Sequence, residues 1–289
     1  MNKLLTELQR LYFLQDPQWH IQQAGGATFH PEDALTPEIV AESLAGERSL
    51  AFNLVGADGL SRAMVIKFNR PGDWERVANL YQAVQEELDL PAPAVSVSGR
   101  QGYRLWFSLA EPLPVAQVRC FLEALSAHYL ADIPVVDIEF LPGTEMPASM
   151  GQGLVQLVPA PNALTGKWSA FIDPSLGSMF IDEPGLEMAP ALDKQAGILA
   201  GLESIKPVDF QRALEHLQRH DSEQSASTQD KAPGQAPTAS DCERPCLNVG
   251  KHYSDPKSFL LAVMNDASAS PRHRIEAAKA LLPYFVEGA

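Results

Sequence analysis

Basic side chains set inside strand-forming segments are the residues of this sequence whose types and spacing could do chemistry. Lys67, Asn69 and Arg70 close the apolar run AMVIKFNR, and Arg100 and Arg104 bracket the turn residues Gln101 and Gly102 in SGRQGYRLWF. A strand holds its side chains at fixed positions, so cations carried on one present their donors at a set place. An Arg fork matches two oxygens of a phosphate, and a Lys ammonium acts as a point charge. The chemistry indicated is anion recognition, with a solvated edge-strand charge as the alternative for Lys67 and a surface salt bridge as the alternative for Arg104. The turn Ser98 to Gly102 could add backbone N–H groups and Arg100 to such a site, or be a plain hairpin turn. Asp137 lies in the short acidic run VVDIEF, where it could end a strand or cap a helix. Trp106 and Phe107 are neighbours on one strand and must face opposite sides. One of them could stack a base, while packing of both under covering helices is the competing reading.

Other chemistry is poorly provided for. Cys242, Cys246 and His252 give a CxxxC spacing and one histidine, three candidates where a closed zinc site needs four. No GxxxxGK[ST] loop or GxSxG elbow occurs, which removes two common hydrolase designs. His20, His30, His128 and His216 are scattered and read as surface or satisfied core residues.

The elements that must position these residues follow from periodicity. Asn2 to Leu14 carries apolar residues at spacings of three and four, a docking helix. Thr36 as N-cap, Pro37 at the first position and Gly46 as a stop predict a helix over Pro37 to Leu44. RSLAFNLVG and RAMVIKF read as a hairpin about Ala57 to Gly59. Asp73 to Leu88 is an amphipathic helix capped by Asp73, followed by strands AVSVSG and YRLWFSL. A helix over Pro114 to Tyr129, strands VVDIEF and GLVQLV, and an edge strand within Lys167 to Asp173 complete the sheet. Leu192 to His220 is helical and broken at Pro207. The fold class is α+β, a sheet with helices covering one face. Residues 1–220 form the main domain, with residues 1–15 as its N-terminal helix. The Ser, Gln, Pro and Gly-rich segment 221–245 reads as a disordered linker, and 246–289 as a small helical segment carrying Arg272, Arg274 and Lys279.

Composition bounds the partners. The 289 residues carry a net charge of −14, which argues against broad non-specific wrapping of nucleic acid, so any such site must be local. From Ser61 to Cys120, seven Lys or Arg face six acids, whereas from Phe121 to Glu203 only Lys167 and Lys194 oppose eleven. Three cysteines are too few for a disulfide framework, and no apolar run is long enough to cross a membrane. A cytoplasmic location is the expectation.

Several stretches, LTPEIVAESLAGERSLAFNLV, GYRLWFSLAEPLP, DIEFLPG, GLVQLVPAPNALTGKWSAFIDP and LDKQAGILAGL, together resemble the archaeo-eukaryotic primase-polymerase superfamily over residues 22–204. The resemblance implies an RRM-like sheet core and two Mg or Mn ions held on carboxylates. Lys67, Phe68 and Asn69 stand where that family carries Asp, any residue, Asp, and Arg104 stands where it carries a phosphate-binding His. Asp137 alone matches the third acid. A Lys at a carboxylate's place is of the wrong sign for a dication. The resemblance therefore implies a catalytically degenerate primase-polymerase of a mobile element or a defence or counter-defence system. Such a protein would need no cofactor and would bind DNA before RNA, a nucleotide, or a protein of the same element. Two alternatives stand beside it: an active primase whose metals rest on Asp58, Asp73, Asp137 and Glu139, and an interaction subunit using the acidic face from Phe121 to Glu203.

Overall fold

In this computed structural model the described residues are 3–15, 17–22, 28–29, 35–143 and 154–226, with Leu260 and Lys279 as isolated helical positions. By its internal contacts the chain divides into Met1–Asp230 and Lys231–Ala289. The expected linker past Ala226, nearly all of the C-terminal segment, His30, and Cys242, Cys246 and His252 lie outside the described residues.

In chain order the elements of the first unit are α1 (Lys3–Leu11), β1 (Trp19–Gln22), β2 (Thr28–Phe29), α2 (Pro37–Leu44), β3 (Ser49–Asn53), β4 (Leu60–Phe68), α3 (Trp74–Glu86), β5 (Ala94–Val97), β6 (Tyr103–Pro114), α4 (Val115–Tyr129), β7 (Ile138–Leu141), β8 (Leu154–Gln156), β9 (Ala170–Ile172), α5 (Leu192–Ala200) and α6 (Pro207–Ala226). Thr36 caps α2 as its sequence requires, its Oγ1 accepting from the Ile39 N–H at 3.4 Å. Asp73 precedes α3 but makes no side-chain cap; its carboxylate instead accepts from Arg76 at 3.2 Å.

The larger sheet runs β7-β4-β6-β5-β9, all neighbours antiparallel. Its first four strands and α3 and α4 form a βαββαβ unit, since β4 and β5 both flank β6 and so run parallel to each other, joined across it by α3. This is the α+β core expected from the sequence, with β9 added at the edge. A second sheet, β2-β1-β3-β8, stands beside it. The hairpin expected between β3 and β4 does not form. Val55 and Ser61 make a single bridge, and the strands then diverge into different sheets, because β3 finds partners in Trp19–Gln22 and Leu154–Gln156. The run VVDIEF also divides, Val135–Asp137 being a turn of 3₁₀-helix and only Ile138 onward a strand.

Period-two alternation gives the larger sheet two apolar faces. Met64, Ile66, Phe68, Tyr103 and Phe107 join a cluster with α3, α4 and α6, whereas Ala63, Val65, Trp106 and Phe171 join one with α1, α2, α5 and the smaller sheet. Both faces are thus covered, not one as the sequence led us to expect. Gln195 of α5 ties edge strand β9 down, accepting from Phe171 N–H at 2.7 Å and donating to its carbonyl at 2.9 Å. α6 runs to Ala226, past the boundary at residue 220 expected from composition.

Candidate functional site

Register brings the basic residues together. Across the larger sheet Glu139 of β7 pairs with Lys67 of β4, Lys67 with Arg104 of β6, and Arg104 with Ser96 of β5, so all four project from one face in a row. Two residues on, the Asn69 N–H donates to the Asp137 carbonyl at 2.8 Å, which places Asn69 and Asp137 at the next rung. The row lies on the face that buries Val65 and Trp106, at the end of the strands where that cover runs out. Lys67 is consequently half-buried, at 17% side-chain exposure, and Arg104 is half-buried beside it.

The charges at this end do not cancel. Lys67 Nζ lies 3.1 Å from Glu139 Oε1, and Arg70 Nη1 lies 3.4 Å from Asp137 Oδ2. Arg104 holds neither of these carboxylates; its Nη1 is buried with no hydrogen-bond partner, and it enters no ion pair among the described residues. Burial holds the Lys67 ammonium below its ordinary value, Glu139 opposes that shift, and the neighbouring Arg104 adds to it. Burial likewise pulls the Arg104 guanidinium down, to about 10, with Glu139 again opposing. Two adjacent cations served by one carboxylate, with donors unfilled, form a place where an oxyanion gains charge-assisted hydrogen bonds. The existing ion pairs do little to resist it. Glu139 and Arg70 are largely exposed, and such surface pairs contribute only about 0 to 1 kcal/mol.

The turn behind the row is built for shape. Gly102 has φ +55°, and a Cβ there would strike the carbonyl oxygen of Phe68 and come within 2.9 Å of that of Arg70. Only glycine lets the turn lie this close to the end of β4. The N–H groups of Ser98, Gly99, Arg100 and Gln101 are taken within the protein and not offered to an anion, which corrects most of one expectation. Ser98 Oγ accepts from Arg100 and Gln101 at 3.2 and 2.6 Å, and the Gly99 N–H donates to Pro184 O at 2.8 Å. Arg100 itself is exposed at this end of the sheet.

Base stacking by Trp106 or Phe107 is overturned by burial. Trp106 is 2% exposed, packs on Tyr12, Phe52 and Phe171, and donates its Nε1–H to Ser96 Oγ at 2.9 Å. Phe107, 1% exposed, lies in the opposite cluster. The residue whose place sequence reasoning misjudged is Glu139, weighed only as a metal ligand. Its signal was its place in the short strand run that follows Asp137; that it faces Lys67 emerges only from the register of β4 and β7.

The residues present do not fit a two-metal centre. Hard dications need several oxygen ligands, yet among the described residues the carboxylates of Asp137 and Glu139 are each held by a cation, as is that of Asp73, three residues past Arg70, which accepts from Arg76. Among the described residues no group of three or more His, Cys, Asp or Glu is placed to hold a metal. Likewise, among them no helix is long and apolar enough to cross a membrane.

No protein family matches this sequence, and no curated protein does. Among solved structures, the AEP domain of the primase-polymerase (PrimPol) of cyanophage S-2L is similar over 68% of this chain and 96% of that one, at 14% identity and a TM-score of 0.39. The polymerase domain of Ligase D from Mycobacterium tuberculosis, solved in complex with DNA, is similar over 69% of this chain and 86% of that one, at 12% identity and a TM-score of 0.39. Neither assigns a role to any residue here.

Proposed function

We propose that this protein binds a phosphate-bearing ligand, a nucleic acid or nucleotide, at the Asn69, Lys67 and Arg104 end of its larger sheet, and that it does so without two-metal nucleotidyl transfer. The observation that carries the reading is the half-buried guanidinium of Arg104, whose Nη1 lacks a partner while Lys67 alongside it already holds the one nearby carboxylate. Leaving a buried charged donor unsatisfied costs free energy that a bound oxyanion returns. Arg104 would take two phosphate oxygens, Lys67 would add charge, and Arg70 could swing from Asp137 to a neighbouring phosphate. Asn69 offers an amide at the rim. DNA is the expected polymer before RNA, and a degenerate primase-polymerase is the origin most consistent with Lys67 and Asn69 standing where carboxylates would hold metals.

Fluorescence-anisotropy titrations with single-stranded, duplex and primed DNA and with RNA at low salt test this. Arg104→Ala should cost about 1.5 to 3 kcal/mol, a loss of about 10- to 150-fold, and combining it with Lys67→Ala should flatten the salt dependence. Absence of binding to every polymer and to nucleoside triphosphates defeats the reading. So does template-dependent primer extension with Mg²⁺ or Mn²⁺ that Asp137→Ala abolishes.

A further inference from the structure

Val135 and Val136 are β-branched apolar residues that strand propensity would place inside a sheet, yet the chain keeps them out of it. Pro134 opens a turn of 3₁₀-helix over Val135–Asp137, closed by the Asp137 N–H donating to the Pro134 carbonyl at 2.8 Å, and β7 starts only at Ile138. Val135 is consequently 76% exposed, and Val136, at 83%, is the most exposed large apolar side chain among the described residues. A single exposed valine needs no explanation. A pair at this place does. Val136 adjoins Asp137, whose carbonyl accepts from the Asn69 N–H at 2.8 Å and whose carboxylate lies 3.4 Å from Arg70. The two valines therefore stand beside the cations of the sheet end, rimmed by Asn69, Arg70 and Asp137.

Size and charge select the occupant. Exposed apolar surface with a polar rim marks an interaction site, and a protein partner needs roughly 800 Å² on its side, far more than two valines offer. One base matches their size, and the adjacent cations attract the phosphates to which bases are joined. In a duplex the base faces lie against one another and only their edges line the grooves, so the valines meet a base face only where a strand is unpaired. We propose that Val135 and Val136 form an apolar platform for an unstacked base, next to phosphates held by Lys67, Arg70 and Arg104, and that they make this a site for single-stranded nucleic acid. The inference rests on the phosphate reading above and specifies which form of the polymer that site takes.

Anisotropy titrations of the full chain with three probes of equal length test this: oligothymidylate, an abasic oligodeoxynucleotide with the same number of phosphates, and duplex DNA. Oligothymidylate should bind about fivefold more tightly than the abasic strand, since only it has a base to cover the valines. Val135→Ser combined with Val136→Ser should erase that advantage while leaving the affinities for the abasic strand and the duplex unchanged. Both side chains are exposed, so the variant should melt with the wild type. Val136→Trp is the opposite change. It should strengthen oligothymidylate binding alone, because an aromatic face stacks a base better than an aliphatic one. Equal affinity of the wild type for the two single strands overturns the proposal, as does an advantage that survives both serines, or a serine variant weakened equally toward all three probes. Each of those results leaves phosphate recognition by Arg104 standing. Binding of none of the probes defeats that recognition and this inference together.

Discussion

Glu139 is the residue that separates a phosphate site from a metal site. It is the carboxylate that balances Lys67, across 3.1 Å, and its removal leaves Lys67 and Arg104 as two adjacent unbalanced cations. Glu139→Gln should therefore strengthen nucleic-acid binding severalfold at neutral pH, read by anisotropy; a metal ligand at this position would give loss instead. The pH dependence follows from the same pair. Burial, with Arg104 beside it, holds Lys67 below its ordinary value, and burial pulls Arg104 down to about 10. Between the folded and ordinary values of each group the unfolded chain binds more protons, so stability rises with pH across that window and both charges subtract stability below it. An anion needs the charged forms, so its affinity should hold through neutral pH and start to fall below pH 10.5. Titrating binding from pH 7 to 11 checks this, and Lys67→Arg should move the fall upward. The sequence made the grouping of Lys67, Asn69, Arg104 and Asp137 legible, because each lies in or beside a strand-forming run and the resemblance relates those runs to one cleft. It did not reveal which cation goes unpaired, since that depends on cross-strand register and on how far Arg70 and Lys67 reach. The burial of Trp106 was equally hidden: its covering partners, Tyr12 and Phe52, come from segments distant in sequence.

At the scale of elements, the anion site depends on how closely the turn into β6 approaches the end of β4. Gly102 is the contact, with φ +55° and no room for a Cβ against the Phe68 and Arg70 carbonyls. Gly102→Ala should cost about 1 to 2 kcal/mol from the left-handed backbone alone, with more from the clash. It should also displace the strand end that carries Lys67 and Asn69, weakening anion binding in protein that remains folded. Urea denaturation and anisotropy on the same preparation measure the two effects, and an unchanged affinity would show that the turn does not set the site's geometry. Most elements could be read from periodicity, because α3, β4, β5, β6 and α4 each bury a stripe or alternate face formed by their own residues. The failed hairpin has a plain cause. Alternation tells that β3 and β4 are strands but not which strands they join, and β3 is paired by segments about thirty residues before it and a hundred after.

For the molecule as a whole, a net charge of −14 repels polyanions, so affinity must come from a few local contacts. Lys67, Arg70, Arg100 and Arg104 can neutralise at most about four phosphates, which limits the slope of log affinity against log salt to a magnitude of about 3.6 at ~0.9 per phosphate on duplex DNA and less on single strands. The C-terminal sequence offers further cations in Arg272, Arg274 and Lys279, and a slope well above four would assign binding to them instead. The division of the chain allows a direct comparison. Among the described residues both hydrophobic clusters are built from positions between Leu4 and Leu217, all within Met1–Asp230. A chain ending at residue 230 should therefore unfold cooperatively at the midpoint of the full protein and keep an Arg104-dependent affinity for nucleic acid. If its salt slope equals that of the full chain, the sheet end alone contacts phosphate. If the slope falls by one or more units while Arg104→Ala loses its effect, the basic tail is the binding surface and the row of Lys67 and Arg104 is not.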